Sequence, residues 1–124
     1  MTTYYRSEVT FIGTDATEMF DGGVVIFFGE PCPTELAEVS VIHTVSHHHP
    51  QRDPQPGDVL RVGGSVVTIT EVGELAGHNL RTLGHFVVYS DPEDSQKILP
   101  GAIHAKGLLE LPDAGVTIEL SEGS

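Results

Sequence analysis

Short runs of β-branched and aromatic residues, cut apart by Gly, Pro and Asp, govern what this chain can build. Such side chains fit a pleated, half-buried surface and the separators supply turns, so the pattern is that of an all-β domain made of many small strands. Residues 5–12 alternate well enough for a first strand, which Gly13, Thr14 and Asp15 end. After the turn Asp21-Gly22-Gly23, residues 24–28 are apolar on both faces, as in a buried central strand. Strand composition returns over residues 39–45. Residues 59–62 and 65–72 flank Gly63-Gly64, a dipeptide suited to a two-residue hairpin turn. Residues 86–90, 98–104 and 116–120 complete the set. Between them, Pro31-Cys32-Pro33 breaks the chain and Thr34 can cap a short helix over 35–38, with Glu35 in the first turn where the helix dipole favours acid. One or two helical turns fit residues 76–83, ended by Gly84. The segment 47–58 holds three prolines and no large apolar residue, the composition of an exposed loop.

An open sheet of this length would leave unpaired edges. The expectation is therefore a small closed or nearly closed β-barrel of about six to seven strands with one or two short helices. A length of 124 residues supports one domain, 1–124, with a core large enough to fold without disulfides or a structural metal. No tandem repeat, linker or low-complexity segment marks a boundary, and residues 121–124 are expected to fray.

Eighteen acidic residues stand against six basic ones, a formal net charge of −12 with histidines neutral. Nucleic acid would be repelled. The same acidity suits a basic protein partner, and equally keeps a protein in solution. The single cysteine, Cys32, excludes an intrachain disulfide and any multi-cysteine zinc or iron site. Its place ahead of a helix N-terminus would lower a thiol pKa, but without a neighbouring cation in sequence it reads as a bystander. The N-terminus lacks the apolar core of a signal peptide, and no stretch approaches the roughly 20 apolar residues that span a bilayer, so a cytoplasmic protein without direct membrane insertion is expected.

Three of the seven histidines, His43, His85 and His104, lie against short apolar stretches, at strand ends. His43 closes a β-branched run and opens a polar segment, so its ring can be fixed by packing yet stay reachable, which makes a usable nucleophile. Partial solvent exposure beside at least one other imidazole is expected. A second arrangement would have His43, His85 and His104 give three imidazoles to zinc, with water in the fourth position, although none of these pairs has close ligand spacing. A third is a non-catalytic docking module that uses the acidic surface. His47, His48 and His49 read as solvated loop residues. Gly63, Gly64, Gly73, Gly84 and the two Pro-Gly pairs read as turn chemistry.

With His43 ending one strand and Val72-Gly73 closing another, Asn79-Leu80-Arg81-Thr82-Leu83-Gly84-His85 is followed by Pro100-Gly101-Ala102-Ile103-His104. In that order, and from Thr10-Phe11-Ile12-Gly13 to the penultimate strand, the chain resembles the glucitol/sorbitol-specific enzyme IIA component of the bacterial phosphoenolpyruvate-dependent sugar phosphotransferase system. In that family an isoleucine-histidine pair after a short acidic helix carries the transiently phosphorylated histidine, and here the pair is Ile42-His43. The resemblance implies a small β-barrel of complex connectivity, in the cytoplasm, with no cofactor. It implies that phosphate arrives from the histidine-containing phosphocarrier protein and leaves to a cysteine of the sugar-specific enzyme IIB. Enzyme IIB then phosphorylates sorbitol as the membrane-embedded IIC subunit imports it. The segment after His43, with its extra imidazoles and prolines, departs from the family pattern.

The chemistry suits a histidine. A carrier must take and surrender phosphate readily, and a phosphoramidate keeps high transfer potential. A neutral imidazole offers one free lone pair while its other nitrogen can fix the tautomer by a hydrogen bond, so no separate general base is needed. Phosphoryl transfer passes through a loose, in-line transition state in which the protein positions groups and stabilises equatorial oxygens. Candidates for that stabilisation are backbone amides, the Thr44 hydroxyl, His85 and His104. Arg6, Arg52, Arg61, Arg81, Lys97 and Lys106 are scattered, and none adjoins His43 in sequence.

Overall fold

Alternation in the first strand sets one stave of a barrel. The computed structural model describes residues 2–49, 52–93 and 95–123. In β1 (Thr3–Ile12) Ser7 and Val9 are buried while Arg6, Glu8 and Thr10 face out. Tyr4 and Tyr5 are both buried, which a regular strand does not allow. A register shift against β8 (Thr117–Ser121) between Thr3 and Tyr5 provides the extra residue of a bulge, so successive rings turn inward.

The remaining strands are β2 (Val24–Gly29), β3 (Ser40–His48), β4 (Val59–Val62), β5 (Ser65–Val72), β6 (Phe86–Ser90) and β7 (Ala102–Lys106). They close in the order β1-β3-β2-β6-β7-β5-β4-β8, with β8 returning to β1. The fold class is the one expected, with eight strands instead of six to seven and three short helices instead of one or two. The unexpected helix is α1 (Ala16–Asp21), which packs across β2. The others are α2 (Thr34–Ala37) and α3 (Ala76–Leu83). Gly63-Gly64 joins β4 and β5 as a tight hairpin, Gly63 taking φ +58°.

The wall uses one motif twice. β1, α1, β2 and β3 make the same figure as β5, α3, β6 and β7: the outer strand pairs antiparallel with the last, and the last pairs parallel with the middle one. β2 and β6 join the two halves antiparallel. Backbone contacts recur as well, Gly13 N donating to Ser40 O at 2.9 Å and Gly73 N to Ala102 O at 2.8 Å. At both glycines a Cβ would fall 2.2 Å from a carbonyl oxygen, of Ala37 or of Leu99, so a side chain has no room. No repeat shows in the sequence because the backbone is kept while side chains diverge. His43 beside Gly29 becomes Ala105 beside Ser90 in the second half.

The barrel interior is filled by Tyr5, Phe27, Val41, Leu60, Phe86, Ile103, Ile118 and Leu120, all buried. Two expectations about exposed segments are corrected. β3 runs on through His48, with His47 opposite Arg6 and His48 opposite Tyr5, and Asp58 at the end of segment 47–58 is buried. Pro50 and Gln51 of that segment lie outside the described residues. Asp58 accepts the Tyr4 hydroxyl at 2.8 Å, Arg52 Nη2 on both oxygens at 2.9 Å, and the amides of Gln55 at 3.0 Å and Gly123 at 3.2 Å. Nor do residues 121–123 fray: Ser121 is paired in β8 and Glu122 N donates to Thr2 O at 2.9 Å, while Ser124 lies outside the described residues.

Candidate functional site

β3 carries His43 opposite Val9 of β1 and beside Gly29 of β2, with its ring inside the barrel. It is 0% exposed, which corrects the expectation of an accessible ring. The rings of Tyr5, Phe27 and Phe86 surround it at centroid distances of 6.1, 6.3 and 6.2 Å. Burial among these groups pushes its pKa down to about 4, against the opposing pull of the Val41 and Gly84 carbonyls and of Glu30. The imidazole is therefore neutral at pH 7. Nε2 lies 2.8 Å from the Tyr5 hydroxyl, and Nδ1 makes no hydrogen bond.

Main chain of the turn after α3 also lies against Nε2. Gly84 ends α3 in the left-handed conformation at φ +62°, where a Cβ would lie 3.3 Å from Nε2 and 3.0 Å from the Gly29 Cα. A Cβ on Gly29 would in turn lie 2.7 Å from the Leu83 carbonyl oxygen. Gly29 and Gly84 form part of a surface depression of about 480 Å³, shared with Glu30, Pro31, Val45, His48 and the last residues of α3 from Leu80 to Leu83. Arg81 is its guanidinium and pairs with Asp53. The His48 ring meets the Tyr5 ring edge-on at 5.1 Å, and burial lowers its pKa. Glu30 is held by two hydroxyls, Thr10 at 2.9 Å and Thr44 at 2.8 Å, so Thr44 is already engaged.

The other two expected histidines open onto separate depressions. His85 follows Gly84, its Nδ1–H donating to the Phe27 carbonyl at 3.1 Å and its ring packing on Phe28 at 4.6 Å. Its neighbours at the surface are Val87, Tyr89, Leu99, Gly101 and Ala102. His104 sits on β7 with Nδ1 4.0 Å from Glu71, facing a depression lined by Asp91, Glu93 and Lys106. Among the described residues no group of three or more His, Cys, Asp or Glu side chains converges to hold a metal ion. The zinc arrangement of His43, His85 and His104 is thus not formed. Burial raises the Cys32 thiol pKa, opposite to the lowering a helix end would bring.

Residues 4–120 match the family model described as "PTS system glucitol/sorbitol-specific IIA component". The chain belongs to that family. The glucitol/sorbitol-specific EIIA component of Shigella flexneri is 33% identical over 107 residues, covering 86% of this chain and 85% of the relative. The component of the same name from Escherichia coli (strain K12) is 32% identical with the same coverage. A crystal structure of a phosphotransferase-system IIA component from Enterococcus faecalis superposes with a TM-score of 0.80 at 26% identity, covering 94% of this chain and 98% of that one. Membership in the glucitol/sorbitol IIA family supports the role of a phosphoryl carrier in that system. Among the described residues no helix is long and apolar enough to cross a membrane.

Sequence reasoning singled out His43 and missed what surrounds it. Tyr5 was hidden by its neighbour Tyr4, because strand alternation would bury only one of the two rings and the bulge that buries both has no local signature. His48 read as loop. Gly84 was recognised as a helix end, which it is, and its second role as cover over Nε2 has no local signature.

Proposed function

We propose that this chain carries a phosphoryl group on His43, received from the histidine-containing phosphocarrier protein and passed to the sugar-specific enzyme IIB beside membrane-embedded IIC during glucitol or sorbitol uptake in the cytoplasm. The observation that carries this reading is a neutral, buried imidazole whose Nε2 lies against Gly84, where a Cβ would come within 3.3 Å of it. A neutral ring retains a lone pair for attack. Gly84 presents main chain and no side chain at that point, so transfer involves displacement of the turn from Leu83 to His85. Arg81 lines the same depression and can serve the equatorial oxygens, since its pairing with Asp53 is half-exposed and exchangeable.

The relay can be rebuilt from phosphoenolpyruvate, enzyme I and the phosphocarrier protein, with label followed onto this chain. Wild-type protein is expected to accept label before and after chelator treatment, and His43→Gln, folded by circular dichroism, to accept none. Loss of acceptance on chelation would favour a metal site, and a labelled His43→Gln would move the carrier elsewhere. Retained partner binding without any labelling would favour a docking module.

A further inference from the structure

Tyr5 has no place in the carrier reading so far, yet its hydroxyl holds the atom on which that reading turns. The phenol is 0% exposed, and burial raises its pKa far above neutrality, so the hydroxyl keeps its proton. His43 Nε2 is 2.8 Å away. Two tautomers are possible, and they leave different groups unpaired. With the proton on Nδ1, the Tyr5 O–H donates to the Nε2 lone pair, and one group, the Nδ1–H, is left without a partner. With the proton on Nε2, directed at either Tyr5 or Gly84, the phenol hydrogen loses Nε2 as its acceptor and the Nδ1 lone pair stays unpaired, two groups in a buried site. Two buried polar groups left unpaired cost more than one. The ring is therefore held as the Nδ1–H tautomer. His48, edge-on to the other part of the Tyr5 ring, helps to lock the phenol in place.

We propose that Tyr5 is the positioning residue of phosphoryl transfer, keeping Nε2 of His43 unprotonated beneath the Gly29–Gly84 cover and passing its hydrogen bond to a phosphoryl oxygen as the P–Nε2 bond forms. In that step the Nε2 lone pair makes the new bond to phosphorus. The P–N bond of the incoming phosphohistidine breaks, and its electron pair returns to the donor imidazole. The His43 proton stays on Nδ1, so no proton changes hands. The inference rests on the carrier reading for the transfer step and stands apart from it for the tautomer.

Long-range proton–nitrogen correlation on nitrogen-15-labelled protein reads the His43 tautomer without any partner. Wild type is expected to show hydrogen on Nδ1 and a bare Nε2, and Tyr5→Phe, which keeps the ring and its packing, to show mixed or reversed tautomers. In the rebuilt relay, phosphorus is expected on Nε2, and Tyr5→Phe is expected to slow acceptance roughly tenfold to a hundredfold, the worth of one or two hydrogen bonds, at unchanged KM for the phosphocarrier protein. Hydrogen on Nε2 in wild type would overturn the proposal, as would a Tyr5→Phe protein with unaltered tautomer and rate. If the tautomers behave as expected while His43 accepts no phosphate, the carrier reading and the hand-over fail and Tyr5's hold on the ring survives.

Discussion

Burial keeps His43 neutral, and the same burial couples its titration to folding. Its folded pKa of about 4 lies below the ordinary 6.5, so the unfolded chain binds the proton more readily. The stability that this residue contributes is complete above about pH 6.5 and is lost as pH falls through 4. At 1.36 kcal/mol per unit the gap is worth roughly 3 kcal/mol. Urea unfolding at pH 7 and pH 4.5 is expected to show that loss, with a shallower pH slope in His43→Gln. Asp58 makes a second residue-scale test, because removing its carboxylate takes the partner from the Tyr4 hydroxyl, from Arg52 Nη2 and from two amides at a largely buried point. Asp58→Ala is expected to lower unfolding free energy by about 3 kcal/mol, read by the same denaturation. Of these residues, His43 was singled out in the sequence because it closes a β-branched run and, by family resemblance, forms the Ile42-His43 pair after an acidic helix. Its burial was not, since the groups around it come from β1, β2, the end of α3 and β6, up to 43 positions away at Phe86.

At the scale of elements, the turn from α3 into β6 does two things, ending a helix and covering the imidazole. Gly84→Ala places a Cβ on a left-handed backbone and 3.0 Å from the Gly29 Cα. A loss of about 2 kcal/mol in stability is expected by denaturation, together with slower phosphoryl acceptance. An unchanged acceptance rate would remove the turn from the transfer pathway. The β4–β5 hairpin and α3 were readable because local residues fix them, Gly63-Gly64 in one and Gly84 in the other. β7 was misplaced, expected over 98–104 and found at Ala102–Lys106, because Ala102 N bonds to Leu99 O and turns the chain at Pro100-Gly101. β3 outran its expected end for a different reason: pairing with Arg6 and Tyr5 of β1 holds His47 and His48 extended, and no local composition encodes partners 41 and 43 positions away.

The whole molecule joins a twice-used motif to a strongly acidic surface. Closure of the barrel was foreseeable from the number of short strands, but the pairing of its halves was not, because the repeat lives in backbone contacts such as those of Gly13 and Gly73. One half keeps an imidazole where the other has Ala105. With a net charge of −12, encounter with a basic partner is favoured at low salt, and the second-order rate of phosphoryl acceptance is expected to fall severalfold between about 10 mM and about 500 mM salt. A rate indifferent to salt would leave the acidity to solubility alone. The most direct test of phosphate on His43 is peptide mapping by mass spectrometry after the rebuilt relay has run. An acid-labile, base-stable phosphate on the peptide bearing Ile42-His43, and on no other histidine peptide, is the expected result. The same addition on a peptide carrying His85, His104 or His47 to His49, with the Ile42-His43 peptide unmodified, would contradict it.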